Sequence, residues 1–145
     1  MKLTEIKPGD EELRVILESG FVLRDAGRLD DAEAVFAGMI ELLPKSELPH
    51  VALGTIKLQR GNFGEAQAAC EKGLSLKPGS LYARVHRAEA LLFQGRRGEA
   101  EAELQEVIAT DPQSPHSRTA QALLDAADLI CRGSPPERDN DKRQT

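Results

Sequence analysis

Apolar and small residues recur along this chain at helical spacing, in short blocks broken by glycine or proline. The pattern predicts seven amphipathic helices, near residues 11–26, 29–42, 47–60, 63–76, 81–94, 97–110 and 115–131. Glycines 27, 61 and 95 stand where the first helix of each pair should stop, since Gly readily takes the left-handed C-cap conformation. Pro44, Pro78 and Pro112 follow the second helix of each pair and close it, because Pro cannot continue a helix interior.

Those punctuating residues belong to a repeat of 34 positions. Gly20, Gly54 and Ala88 share its register. So do Ala32, Ala66 and Ala100, then Phe36, Cys70 and Leu104, and finally Ser46, Ser80 and Ser114. No insertion or deletion interrupts the six columns. The small residues of the Gly20 and Ala32 columns let paired helices approach closely. The Phe36 column lies one turn beyond Ala32 on the same helix face. The last helix keeps Ala120, Leu123, Leu124, Ala127 and Ile130 at helical spacing. It begins a fourth unit that is not completed, and is expected to cap the third, because a terminal repeat needs a cover.

Three divisions are therefore expected: an N-terminal segment over 1–10, a repeat domain over 11–131, and a tail over 132–145. The domain divides into units 13–46, 47–80 and 81–114 and a capping helix over 115–131. The tail, RGSPPERDNDKRQT, has no large apolar residue, and its composition predicts disorder.

Composition narrows the function. The 145 residues carry a net charge of −5 and five aromatic side chains, with no Trp. Neither a basic excess nor stacking platforms are on offer to nucleic acid. No apolar run approaches a membrane span, and the N-terminus has no apolar leader core. Two cysteines, Cys70 and Cys131, make neither a disulfide framework nor a metal pattern, so a reducing, cytoplasmic setting is expected.

No residue set reads as catalytic or metal-binding, and no cofactor is expected. His50, His86 and His116 fall in different units without a second ligand at metal spacing. His50 reads as a packing residue and His116 as solvated. Cys70 replaces the large residue of its column and reads as a small buried hydrophobe. Cys131 reads as an incidental exposed thiol. Asp30 and Asp31 suit a helix N-terminus. Glu99, Glu101 and Glu103 read as a solvated face, and Arg96 and Arg97 as a solvated turn.

The period and its columns resemble the tetratricopeptide repeat (TPR). That family carries a small residue at repeat position 8, Gly at 15, Ala at 20, a large apolar residue at 24 and Pro at 32. Positions 4 and 11, often Trp and Tyr in the family, are Ile16, His50 and Arg84 and then Leu23, Lys57 and Leu91 here. The resemblance covers 13–114 and the helix after it. It implies an all-α, right-handed solenoid of three helix-turn-helix units with a capping helix. It further implies a non-enzymatic protein-binding module with a concave groove.

In TPR proteins that groove is formed mainly by positions 2, 5, 9, 12 and 13 of each first helix. Here these are Arg14, Leu17, Phe21, Arg24 and Asp25, then Leu48, Val51, Thr55, Leu58 and Gln59, then Tyr82, Val85, Glu89, Leu92 and Phe93. From this set, Leu17, Phe21, Arg24, Val51, Thr55, Leu58, Tyr82, Val85, Glu89, Leu92 and Phe93 are the expected partner-binding residues. The clamp by which some TPR co-chaperones hold acidic peptide tails needs Lys, Arg and Asn at positions 5 and 9. Those positions are apolar, Thr or Glu here. The groove therefore implies an extended apolar peptide, or the apolar face of an amphipathic helix, as ligand.

The stretch His86, Ala88, Leu92, Gly95, Glu99, Ala100, Glu101 and Leu104 looks like the third repeat of the small type III secretion translocator chaperones. Gly20, Phe21, Val22, Leu23 and Gly27 look like the first repeat of the export-apparatus type. The implied role is a chaperone or assembly factor. Occupation of the groove by the protein's own N-terminus, a self-associating homodimer or scaffold, and a tethering subunit of a larger complex stay open as alternatives.

Overall fold

The computed structural model describes residues 9–132, which hold seven helices: α1 Asp10–Asp25, α2 Leu29–Leu42, α3 Leu48–Gln59, α4 Phe63–Leu76, α5 Leu81–Phe93, α6 Arg97–Thr110 and α7 Pro115–Cys131. Each boundary falls within one residue of the position read from the repeat. Most of the N-terminal segment expected over 1–10, and all but the first residue of the tail expected over 132–145, lie outside the described residues.

The turn glycines act as their spacing predicts. Gly27, Gly61 and Gly95 have φ of 78°, 77° and 79°, the left-handed region that L side chains avoid. Around each, the same pair of bonds ends the helix. Gly27 N–H donates to the Arg24 carbonyl and Arg28 N–H to the Leu23 carbonyl; the bonds recur at Gly61 and Asn62, and at Gly95 and Arg96. Together they close the helix end as a Schellman motif. The serine column has a matching task at helix starts. Ser80 accepts from Ala83 N–H and Ser114 from His116 N–H, both at 3.1 Å, while Ser46 accepts from Leu48 N–H at 3.2 Å.

Consecutive helices pack in antiparallel pairs, and the first helices α1, α3 and α5 also lie side by side, with α7 continuing the row beside α5. The core is divided along the stack. Ala32, Phe36, Ala52 and Ile56 form one cluster, joined by Leu17, Phe21 and Leu23. Val51, Cys70 and Ala83 form a second. Val85, Leu91, Leu92, Leu104, Val107, Ala120 and Ala127 form a third, under α7. The capping helix therefore buries the open side of the third unit.

Two readings are corrected by the structure. Glu103 is not solvated: it is half-buried between Arg87, at 2.7 Å, and Arg84, at 3.8 Å. Burial pushes its carboxyl above the usual range despite both arginines. Arg96 and Arg97 stay solvent-accessible, as expected, and form surface pairs, Arg96 with Glu99 and Arg97 with Glu101 and with Asp128 on the capping helix. Cys131 is half-buried, its thiol 3.7 Å from the Leu92 carbonyl.

Cys70 is fully buried, and burial pushes its thiol up to about 12. Thiolate is the reactive form, so Cys70 should resist alkylation in the native state. In timed iodoacetamide labelling read by mass spectrometry, Cys131 should label first and Cys70 only as the chain unfolds. Equal native rates would show that the core between α3 and α4 is open.

Candidate functional site

The concave side of the α1–α3–α5–α7 row carries a cleft of about 570 Å³. Its walls are columns of the repeat. Phe21, Thr55 and Glu89 come from one position, Arg24 and Leu58 from a second, Gln59 and Phe93 from a third, and Leu48, Tyr82 and His116 from a fourth. His86 completes the lining. A 34-residue repeat thus places equivalent side chains of neighbouring helices around one concavity.

Seven of the expected groove residues meet there: Phe21, Arg24, Thr55, Leu58, Tyr82, Glu89 and Phe93. Four do not line it. Val51, Val85 and Leu92 are fully buried, and Leu17 packs beside Phe36 and Ala32. The cause is helix rotation combined with close packing. A Cβ added at Gly73 would stand 2.7 Å from the Val51 Cγ2, so α4 sits hard against that side chain. Leu92 is enclosed because α7 covers it. These residues underlie the cleft and set its floor from beneath.

Two lining residues escaped the sequence reading. His116, expected to be solvated, is half-buried against Tyr82, ring centroids 5.5 Å apart, and burial followed by nearby His86 lowers its pKa. The signal was present, since His116 stands 34 residues after Tyr82 in the same column. His86 meets the Tyr82 ring edge-on at 5.1 Å, and its Nδ1 lies 2.8 Å from Glu89 Oε2. His50 is half-buried and outside the cleft lining.

The cleft has distinct regions. Phe93 is partly exposed and stacks on Phe63, centroids 4.8 Å apart and planes 11° from parallel. With Leu58 it makes an apolar wall. Elsewhere Arg24 lies over the Phe21 ring at 5.0 Å and donates through Nη1 to Thr55 Oγ1 at 2.8 Å. Asp25 pairs with the same guanidinium at 3.1 Å. The Thr55 hydroxyl donates to the Ala52 carbonyl at 2.7 Å. The Tyr82 hydroxyl is fully covered and makes no hydrogen bond. Among the described residues no group of three or more His, Cys, Asp or Glu is placed to hold a metal ion.

The sequence pattern of the tetratricopeptide repeat matches residues 57–124, from within α3 to within α7. Most of the chain also superposes on solved structures. One is the type III secretion translocator chaperone SycD of Yersinia enterocolitica, at 26% identity and TM-score 0.69, covering 83% of this chain and 95% of that one. The chain is a TPR protein. SycD in complex with a peptide of the translocator YopD gives 22% identity and TM-score 0.67, over 83% of this chain and 95% of that one. PcrH, a Pseudomonas aeruginosa protein, in complex with the chaperone binding region of PopD gives 22% identity and TM-score 0.69, over 88% and 98%. No curated protein matches the chain. Among the described residues of this TPR protein, no helix is long and apolar enough to cross a membrane.

Proposed function

We propose that this TPR protein is a chaperone or assembly factor that holds an apolar segment of a partner protein, in extended or helical form, in its concave cleft. The observation that carries the reading is the cleft's lining. Phe21, Leu48, Leu58, Tyr82 and Phe93 present apolar surface to one concavity, ringed by a few polar groups. A binding site for an apolar peptide has that composition. The peptide-bound states of SycD and PcrH support it by fold, and a type III secretion partner is the narrower form of the proposal. We assign the units to 13–46, 47–80 and 81–114, with 115–131 as cap.

Peptide display on the immobilised protein tests the proposal. Wild type should enrich sequences with two or three large apolar residues at regular spacing. Leu58→Glu with Phe93→Glu should abolish the enrichment while leaving the helical circular dichroism intact. Because burial of apolar surface is the driving force, Kd should change less than about threefold between low and high salt. Enrichment of acidic sequences, or binding that collapses in moderate salt, would replace the apolar cleft by a charged surface.

A further inference from the structure

One part of the cleft is not apolar, and its polar groups are incompletely paired. Arg24, Thr55 and Tyr82 come from α1, α3 and α5, so three consecutive first helices converge here. Arg24 is one-fifth exposed. Its Nη1 bond to Thr55 and its contacts with Asp25 leave guanidinium hydrogens unused, because an Arg fork has five. Thr55 accepts from Arg24 and donates to the Ala52 carbonyl, which leaves it one lone pair. The Tyr82 hydroxyl stands beside both groups, buried, close to each but without a well-formed hydrogen bond to either. A buried hydroxyl without a partner costs stability, and such groups are rare in folded chains.

We propose that Arg24 and Tyr82 form a subsite for a neutral carbonyl oxygen, the side-chain amide of a Gln or Asn set among the apolar anchors of a bound peptide. The inference rests on the cleft being the peptide site. Arg24 faces the concavity and the Tyr82 hydroxyl lies covered beside it, so an acceptor that draws Arg24 aside would meet both donors. Charge decides which acceptor. Asp25 already offsets the Arg24 guanidinium, and Glu89 lines the same cleft, so a carboxylate would meet two like charges and one shared cation. An amide carbonyl meets no such repulsion. Arg24 is the movable member: a long side chain anchored by one interhelical hydrogen bond. Its displacement toward the ligand uncovers the Tyr82 hydroxyl.

The test uses one peptide from the display selection, with the residue nearest Arg24 set in turn to Gln, Glu and Met. Fluorescence anisotropy measures each against wild type and Tyr82→Phe. Wild type should prefer Gln to Met by about tenfold, the worth of leaving a buried donor unpaired. Tyr82→Phe should lose that preference. The unliganded variant should melt higher by about 3 °C, because it removes an orphaned hydroxyl without changing shape. Binding without discrimination, a preference for Glu, or discrimination that survives in Tyr82→Phe would each overturn the subsite and leave the cleft reading standing. If wild type binds none of the displayed peptides, the cleft reading falls, and the subsite falls with it.

Discussion

Val51→Glu is expected to unfold the chain rather than blind its cleft. Val51 is fully buried, packed against Cys70 and Ala83, with α4 pressed on it at Gly73. A carboxylate there has no cation to pair with inside its cluster and no route to water. Its burial, or the opening needed to hydrate it, costs several kcal/mol. Typical domain stabilities are about 5–15 kcal/mol, so that loss is a large part of the total. Leu58→Glu sits about two turns further along α3 but on the cleft wall, where the new charge reaches solvent. Its cost should be about 1 kcal/mol or less. Thermal melts followed by circular dichroism should therefore separate the two variants widely. A Val51→Glu protein that melts like wild type yet binds no peptide would place Val51 on the cleft surface and overturn the buried floor.

This contrast marks where the sequence was legible and where it was not. The helices, their ends and their order follow from Gly27, Gly61 and Gly95 and the proline column, because those residues impose local backbone geometry. Local rules need no knowledge of neighbours. The cleft depends on rotation of each helix about its axis, which packing decides. The TPR resemblance implies that position 5 lies on the concave side, yet Gly73 lets α4 close on Val51, which is fully buried. Leu92 occupies the column of Arg24 and Leu58 but is fully buried, because α7 packs on α5 more extensively than α3 does on α1 or α5 on α3. His116 was misread for the converse reason. Taken alone it begins a helix and looks solvated; taken as the fourth member of the Leu48 and Tyr82 column it belongs to the wall. Repeat register placed the concave residues better than the polarity of single side chains.

Gly20→Ala should destabilise the protein, and Phe36→Leu should rescue it. A Cβ at Gly20 would stand 2.7 and 2.8 Å from Phe36 Cε1 and Cζ and 3.1 Å from Val35 Cγ1. Phe36 is fully buried and cannot step aside. In an open helix the change would gain about 1 kcal/mol of propensity, but overpacking a closed core costs about 1–3 kcal/mol, so the net sign is unfavourable. Phe36→Leu alone leaves a cavity and costs about 1–2 kcal/mol. The double variant recreates the pair that the third unit already uses, Ala88 with Leu104, both fully buried. Its loss should fall below the sum of the single losses by about 1–2 kcal/mol. The second unit supplies an internal control. A Cβ at Gly54 would meet Cys70 Sγ at 3.0 Å and the Ala66 carbonyl at 3.3 Å, a milder conflict, so Gly54→Ala should cost less than Gly20→Ala. Urea titrations of the four variants and wild type would measure the cycle. Strictly additive losses would mean that the two columns are not complementary, and that the small residue at Gly20 answers to something other than the ring opposite it.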